Sequence, residues 1–338
     1  MRNRILSYNE IDKAQWSALV NESMTATWFQ TIDAYEFYAS LPDVMTPFVI
    51  AVNRTDVSGT NLKGVIVGYI TREKESIRQF FMRRGIIIGG PLLAEDITDK
   101  ELQLLLQNVV QQIGKDAIYI EIRNFNDYSH WKPIFERCGF EYQAHLNFHI
   151  DTTSQLAVDT NLGKGKKRDI KTTIREGAQI VTTPSLEQVR EYYEILWHLY
   201  KTKVKTPLFS WDFFEHLYKV KSAHFILVIL QGMVIGGTVC VELEGRCLYE
   251  WYVCGVDGVY KSVFPSSYAT YAGLCYAVEH CCPVFDMMGA GTPAEHYGVR
   301  DFKARFGGKL VENGRYLFIS KRILYTIGKI GVKIMKIL

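Results

Sequence analysis

Two stretches of the chain carry apolar and polar positions in the same order. In the first, an amphipathic segment from Ile11 to Tyr38 precedes the apolar run Phe48 to Val52, and a polar turn then leads into Leu62 to Ile70. In the second, amphipathic segments between Leu186 and Tyr218 precede Phe225 to Ile229, and Gly232 turns the chain into Met233 to Val239. Short runs rich in β-branched residues, joined by a glycine-bearing turn, predict β-hairpins. The stretches also close alike. A strand Ile118 to Ile122, a helix-like Trp131 to Cys138 and Gly139-Phe140 stand against Val284 to Asp286, Phe302 and Phe306 at helical spacing, and Gly307-Gly308. A duplicated α/β unit with mixed sheets is the expected fold class. The polar stretch from Asp151 to Asn161 suits a linker, which divides the chain into residues 1–150, 151–320 and a tail, 321–338.

Beyond that linker, Lys164, Arg168, Lys171 and Arg175 recur at helical intervals and form one basic face, with Ile170 and Ile174 turned elsewhere. The face is either a solvated surface or a phosphate-binding stripe. In the tail no acid follows Glu312, and Lys321, Arg322, Lys329, Lys333 and Lys336 fall within one arc of roughly 120° on a helix. Ile323, Ile327, Ile330, Ile334 and Leu338, with Leu324 and Met335, fill the opposite arc, and only Tyr325 and Val332 trespass on the basic side. Such a helix either covers a domain or lies on an anionic membrane, and lysine without compensating acid favours the membrane.

Composition narrows the classes. At 338 residues the chain suits two domains. Hydrophobic content of 48% with 22% charged residues is globular, and a net charge of +3 does not imply wholesale nucleic-acid coating, though it leaves room for a local basic groove. No apolar run is long enough to span a bilayer, and the first ten residues lack a signal-peptide core. Seven cysteines without a C-x-x-C pair read as buried, reduced thiols of a cytoplasmic protein, and no paired Cys or His spacing calls for a metal.

The chemistry concentrates between Val284 and Gly308. Val284-Phe285-Asp286-Met287-Met288-Gly289 reads as a buried strand breaking into a loop, and Phe302-Lys303-Ala304-Arg305-Phe306-Gly307-Gly308 places two phenylalanines on one helix face. This pairing of a strand-end "DxxG" with "FKxxFGG" resembles the C-terminal half of the Fem family, the peptidoglycan bridge-forming aminoacyltransferases and their acyltransferase-like relatives. Phe135-Glu136-Arg137-Cys138-Gly139-Phe140-Glu141 resembles the close of a GNAT acyltransferase domain. The resemblance implies two tandem GNAT-like domains. It also implies a transferase that moves an aminoacyl or acyl group onto an amine of a cell-envelope, peptidoglycan-type precursor. The donor, aminoacyl-tRNA or acyl-CoA, would be a co-substrate, with no bound cofactor.

Within that frame Lys303 is the expected reaction-centre cation. Asp286 is either a general base or the cap of the following turn. Strand alternation sends Glu250 and Tyr252 to one side and Trp251 to the other, which makes the first two acceptor-site candidates. Tyr297, Arg300 and Phe302 would line the same cleft, with Arg168 and Lys171 as binding residues; His296 stands isolated. Two departures bear on the substrates. Val256 to Pro265 lacks the [QR]-x-x-G-x-[GA] pattern whose backbone N–H groups cradle a pyrophosphate, which weakens acyl-CoA as donor. Phe29 to Tyr38 lacks the lysine that family members carry after a glutamine and an aromatic. A domain that binds an envelope component without turning it over is the non-enzymatic alternative.

Overall fold

In the computed structural model, residues 2–57, 59–72, 83–294 and 297–337 are described, 330–337 by backbone only. The chain folds as two units, Met1–Ala144 with Asn313–Leu338, and His145–Glu312. The first contains strands β1 (Arg2–Leu6), β2 (Met45–Asp56), β3 (Gly59–Thr71), β4 (Arg84–Gly89), β5 (Leu92–Leu93), β6 (Tyr119–Asn124), β7 (Glu141–Gln143) and, from near the end of the chain, β15 (Arg315–Ile319). They form one mixed sheet in the order β1-β2-β3-β4-β6-β15-β7, with β5 on β3. The hairpin expected from the apolar runs is β2–β3, while β4 and β6 run parallel. Helices α1 (Lys13–Glu22), α2 (Ile32–Ala39), α3 (Asp99–Ile113) and α4 (Lys132–Arg137) belong to this unit. Helix α3 starts at a capping box between Thr98 and Glu101 and buries Leu102, Leu105, Leu106, Val109 and Ile113 against Ile50, Ile66 and Ile120 of the sheet.

The second unit holds β8 (Leu146–Asp151), β9 (Gln179–Val181), β10 (Ala223–Leu230), β11 (Met233–Leu243), β12 (Cys247–Gly255), β13 (Val284–Asp286) and β14 (Lys309–Glu312). Their order is β14-β8-β13-β12-β11-β10-β9. Its helices are α5 (Gln155–Asn161), α6 (Lys164–Arg175), α7 (Leu186–Leu199), α8 (Trp211–Tyr218), α9 (Pro265–Glu279) and α10 (Gly298–Ala304); α11 (Arg322–Ile337) belongs to the first unit. The second predicted hairpin is β10–β11.

The expected boundaries at 150/151 and 320/321 differ from those of the structure. Strand β8, before the expected boundary, pairs with β13 and β14 of the second sheet, and β15 pairs with β6 and β7 of the first. Each sheet thus fills its last gap with the strand that follows the other unit's closing strand. Nor is the polar stretch after Asp151 a linker. Thr152 is buried and donates to the Cys282 carbonyl, and Ser154 caps α5 by accepting from the Ala157 N–H. Its polar residues serve as caps and turn bonds.

Because β15 closes the first sheet, its removal should unfold that unit. Its Tyr316 is buried and stacks on Phe135 at 3.9 Å, and loss of a buried aromatic alone costs about 3–5 kcal/mol. A chain ending at Glu312 should lose part of its cooperative thermal transition, whereas one ending at Lys321 should keep it. Calorimetry showing equal unfolding for the two truncations would contradict this assignment of β15.

Candidate functional site

Strands β12 and β13 pair in parallel only from Cys247↔Val284 to Tyr249↔Asp286; β13 ends there, and β12 continues to Gly255. The second unit's sheet therefore splays open from Glu250 onward. At the start of the splay β12 carries a bulge. Glu250 opposes Cys240 and Tyr252 opposes Val239, which leaves Trp251 as the extra residue. The bulge overturns the expectation that Glu250 and Tyr252 share a side. Tyr252 joins Trp251 against Phe213, and packs on Phe214 as well. Glu250 is buried on the opposite face, where its Oε1 accepts from Thr270 of α9 at 2.9 Å and from Thr238 of β11 at 3.4 Å.

Beyond Asp286 the loop is held from both its N–H and its carbonyl sides. Asp286 Oδ1 accepts from the Met288 N–H and the Asn147 amide, both at 2.7 Å, and Asn147 Oδ1 accepts from the Gly289 N–H at 2.8 Å. His149 Nε2 lies 3.1 Å from Asp286 Oδ2, without hydrogen-bond geometry. The turn these bonds enforce puts Met288 at φ 53° and Gly289 at φ 101°, left-handed backbone that only the glycine adopts without strain. Lys303 donates to the Met287 and Gly289 carbonyls. Arg300 donates to those of Ala290 and Thr292, and the Tyr297 ring packs beside Gly291. Asp286, Tyr297, Arg300 and Lys303 are thus brought together on one loop. Asp286 holds the cap geometry, and Lys303 is bonded to backbone carbonyls.

Burial sets the electrostatics of this region. Lys303 is 7% exposed, and desolvation lowers its pKa against the opposing pull of Glu250 and Asp286. Desolvation likewise pushes the Glu250 carboxyl up to about 7, with Lys303, Thr270 and Thr238 pulling the other way. Glu250 Oε2 has no hydrogen-bond partner among the described residues. A buried carboxylate with a free oxygen and a pKa near neutrality is equipped to take and return a proton.

The remaining candidates separate. Phe302 and Phe306 receive the amine of Lys166 over their rings, at 3.9 and 5.1 Å from the centroids, and that amine also bonds Ser267. Burial lowers the Lys166 pKa to about 8. Arg168 and Lys171 lie on the exposed face of α6. Lys166, Thr238, Thr270, Asn147 and His149 escaped the sequence reading. Only Lys166 carried a signal, since Leu162, Lys166, Ile170 and Thr173 make a single buried stripe that a lysine interrupts. His296 lies outside the described residues.

Residues 164–303 match the family described as an acetyltransferase (GNAT) domain. No curated protein matches the sequence. Among solved structures the chain is similar to FemX, with a TM-score of 0.71 and 14% identity over 97% of this chain and 99% of that one. It is similar to a tandem GNAT protein from the clavulanic acid biosynthesis pathway, with a TM-score of 0.59 and 9% identity over 94% and 99% of the two chains. A third likeness is to L-PGS from Bacillus licheniformis, with a TM-score of 0.55 and 14% identity over 96% and 97%. These likenesses establish the fold as two GNAT units in tandem, with mixed sheets, the arrangement implied by the motifs.

The brace on the loop is directly testable. Lys303→Met keeps much of the side chain's length and leaves the Met287 and Gly289 carbonyls without their donor, at about 1–3 kcal/mol for each group left unsatisfied. Denaturant unfolding should register a loss of at least about 2 kcal/mol, while Arg168→Ala on the solvated face should change stability by less than about 0.5 kcal/mol. Equal stability of Lys303→Met and the parent would mean the amine does not hold the loop.

Proposed function

We propose that the protein is an acyltransferase that moves an aminoacyl or acyl group onto an amine of a cell-envelope component. The observation that carries this reading is Glu250, buried beside the splay with Oε2 unpartnered among the described residues and its pKa raised to about 7. An acceptor amine must shed a proton as its nitrogen attacks the donor carbonyl, and in this reading Glu250 takes it. The C–N bond forms, the ester or thioester bond of the donor breaks, and the proton passes from Glu250 to the leaving oxygen or sulfur. Likeness in fold to FemX and L-PGS favours an envelope acceptor and an aminoacyl donor, since Val256 to Pro265 lacks the phosphate-cradling glycines. Acyl-CoA is the alternative donor, favoured by the GNAT match over residues 164–303.

The tail supports a place at an anionic membrane surface. Within α11, Tyr325, which sits on the basic arc, packs edge-on against Tyr119 of β6 at 5.3 Å. Ile323 and Ile327 of the apolar arc stay 77% and 49% exposed. Ile323 and Ile327 are therefore turned to solvent, while Leu324 of the same arc is half-buried; the side chains from Ile330 onward lie outside the described residues. Among the described residues no helix is long and apolar enough to cross a membrane. Surface attachment from the cytoplasmic side would suit a lipid-linked acceptor.

Three measurements test these statements. Turnover with a charged tRNA donor and an envelope-precursor amine should rise with pH through about 7, because the raised pKa makes the ionised carboxylate the minority form below it. Glu250→Gln should lower the rate by about 100-fold or more and abolish that limb; a variant with the parent's pH profile would remove Glu250 from proton transfer. Calorimetry should find weak or no binding of coenzyme A, and micromolar affinity would make acyl-CoA the donor. Vesicles containing anionic lipid should sediment the full chain but not one ending at Lys321, and a full-length protein indifferent to them would make α11 a structural helix.

A further inference from the structure

At the far end of the second unit's sheet from the splay, three side chains converge from separate elements. His224 is near the start of β10, Glu242 near the end of β11, and His280 follows α9 as its C-terminal cap. The β10–β11 register places His224 opposite Cys240, and the Glu242 N–H bonds the Ser222 carbonyl, which fixes the two side chains as neighbours. Glu242 Oε2 lies 2.8 Å from His224 Nε2 and 3.2 Å from His280 Nδ1, and one ligand atom from each of the three residues falls within 4.8 Å of the others. We propose that His224, Glu242 and His280 form a binding site for a divalent transition-metal cation of the zinc type.

The donor set and its surroundings fit that assignment. Zinc takes imidazole nitrogen and carboxylate oxygen at about 2.0–2.2 Å, and tetrahedral angles then separate ligand atoms by roughly 3.3 Å. The two observed separations lie within about half an ångström of that value, so modest side-chain rotation admits an ion. Tyr276 Oη sits 3.0 Å from His224 Nδ1 and can accept a hydrogen bond from the Nδ1–H, the tautomer that leaves the Nε2 lone pair for the metal. The Tyr276 ring stacks on the His280 ring at 4.0 Å and holds it in place. Cys282 Sγ donates to the carboxylate's other oxygen, Oε1, at 3.6 Å and leaves Oε2 facing the two imidazoles. The C-terminal end of α9 adds a favourable partial negative charge for a cation. His280 is partly exposed, which gives the ion a route in from solvent. No local sequence spacing announces such a site, because its members stand 18 and 38 residues from Glu242 and are joined only by the sheet and the end of α9.

The full-length protein, stripped with a chelator and titrated with Zn²⁺, should take up one equivalent per chain, and Co²⁺ in its place should show the visible absorption of a low-symmetry site. His280→Ala, a change at a partly exposed position, and His224→Gln should each weaken binding by about tenfold or more, while His216→Ala on α8 should not. Zn²⁺ should raise the melting temperature of the parent and not of either ligand variant. The proposal is overturned if no stoichiometric uptake occurs, or if both ligand variants bind as the parent does. The three side chains would then be a hydrogen-bonded clasp, with Glu242 held by two imidazoles.

Discussion

Holding the Lys303 ammonium out of water is the constraint on which the second unit's open end depends. Removing an ammonium from solvent costs several kcal/mol after relaxation, and the cost is tolerable only if its hydrogens find acceptors and its charge finds a partner. The acceptors are the Met287 and Gly289 carbonyls, and the opposite charges acting on it are Glu250 and Asp286. For both carbonyls to face one amine, the chain must turn sharply after β13. Asp286 and Asn147 secure that turn from the N–H side. The same turn takes the chain away from β12, so the splay and the buried lysine are two consequences of one local geometry. Glu250 feels both: desolvation raises its pKa and Lys303 tempers the rise.

A second dependence lies in chain order. Had each unit closed its own sheet, the halves would separate cleanly at a linker. Instead β8 takes the place between β13 and β14, and β15 takes the matching place between β6 and β7. Contacts distant in sequence, such as Arg315 with Glu121 at 2.7 Å, follow directly. Arg315 and Arg123 flank Glu121, whose pKa is lowered to about 2 despite the opposing effect of burial. A carboxylate that stays ionised there holds Arg315 of β15 and Arg123 of β6 together and helps set the register of the two strands.

The duplicated hairpins, the helical face of Lys164 to Arg175 and the closing segments were all legible, because periodicity reports burial on one face and these elements each have one face buried. Polarity misled at Asp151 to Asn161, since residues that cap a helix have the composition of a linker. Alternation misled at Glu250 and Tyr252, since a bulge inserts one residue and reverses the phase of all that follow. Lys303 was found by its motif and not by physics, for hydropathy alone places a lysine outside. Lys166 shows the opposite case. It lies on an apolar stripe, and its compensation comes from Phe302, Phe306 and Ser267, which are remote in sequence.

The two ends of the second sheet solve opposite problems with the same kind of group. At the splayed end Glu250 has one oxygen bonded to hydroxyls and one without a partner among the described residues, and its neutral and ionised forms are close in free energy near neutral pH. At the closed end Glu242 has both oxygens engaged, by His224, His280 and Cys282, and its pKa is lowered in spite of desolvation. The first carboxyl can exchange a proton at neutral pH at little cost; the second has a partner on each oxygen. Burial is common to both. What separates a proton-transfer group from an anionic ligand is the number and kind of donors that the flanking strands and helix α9 aim at it.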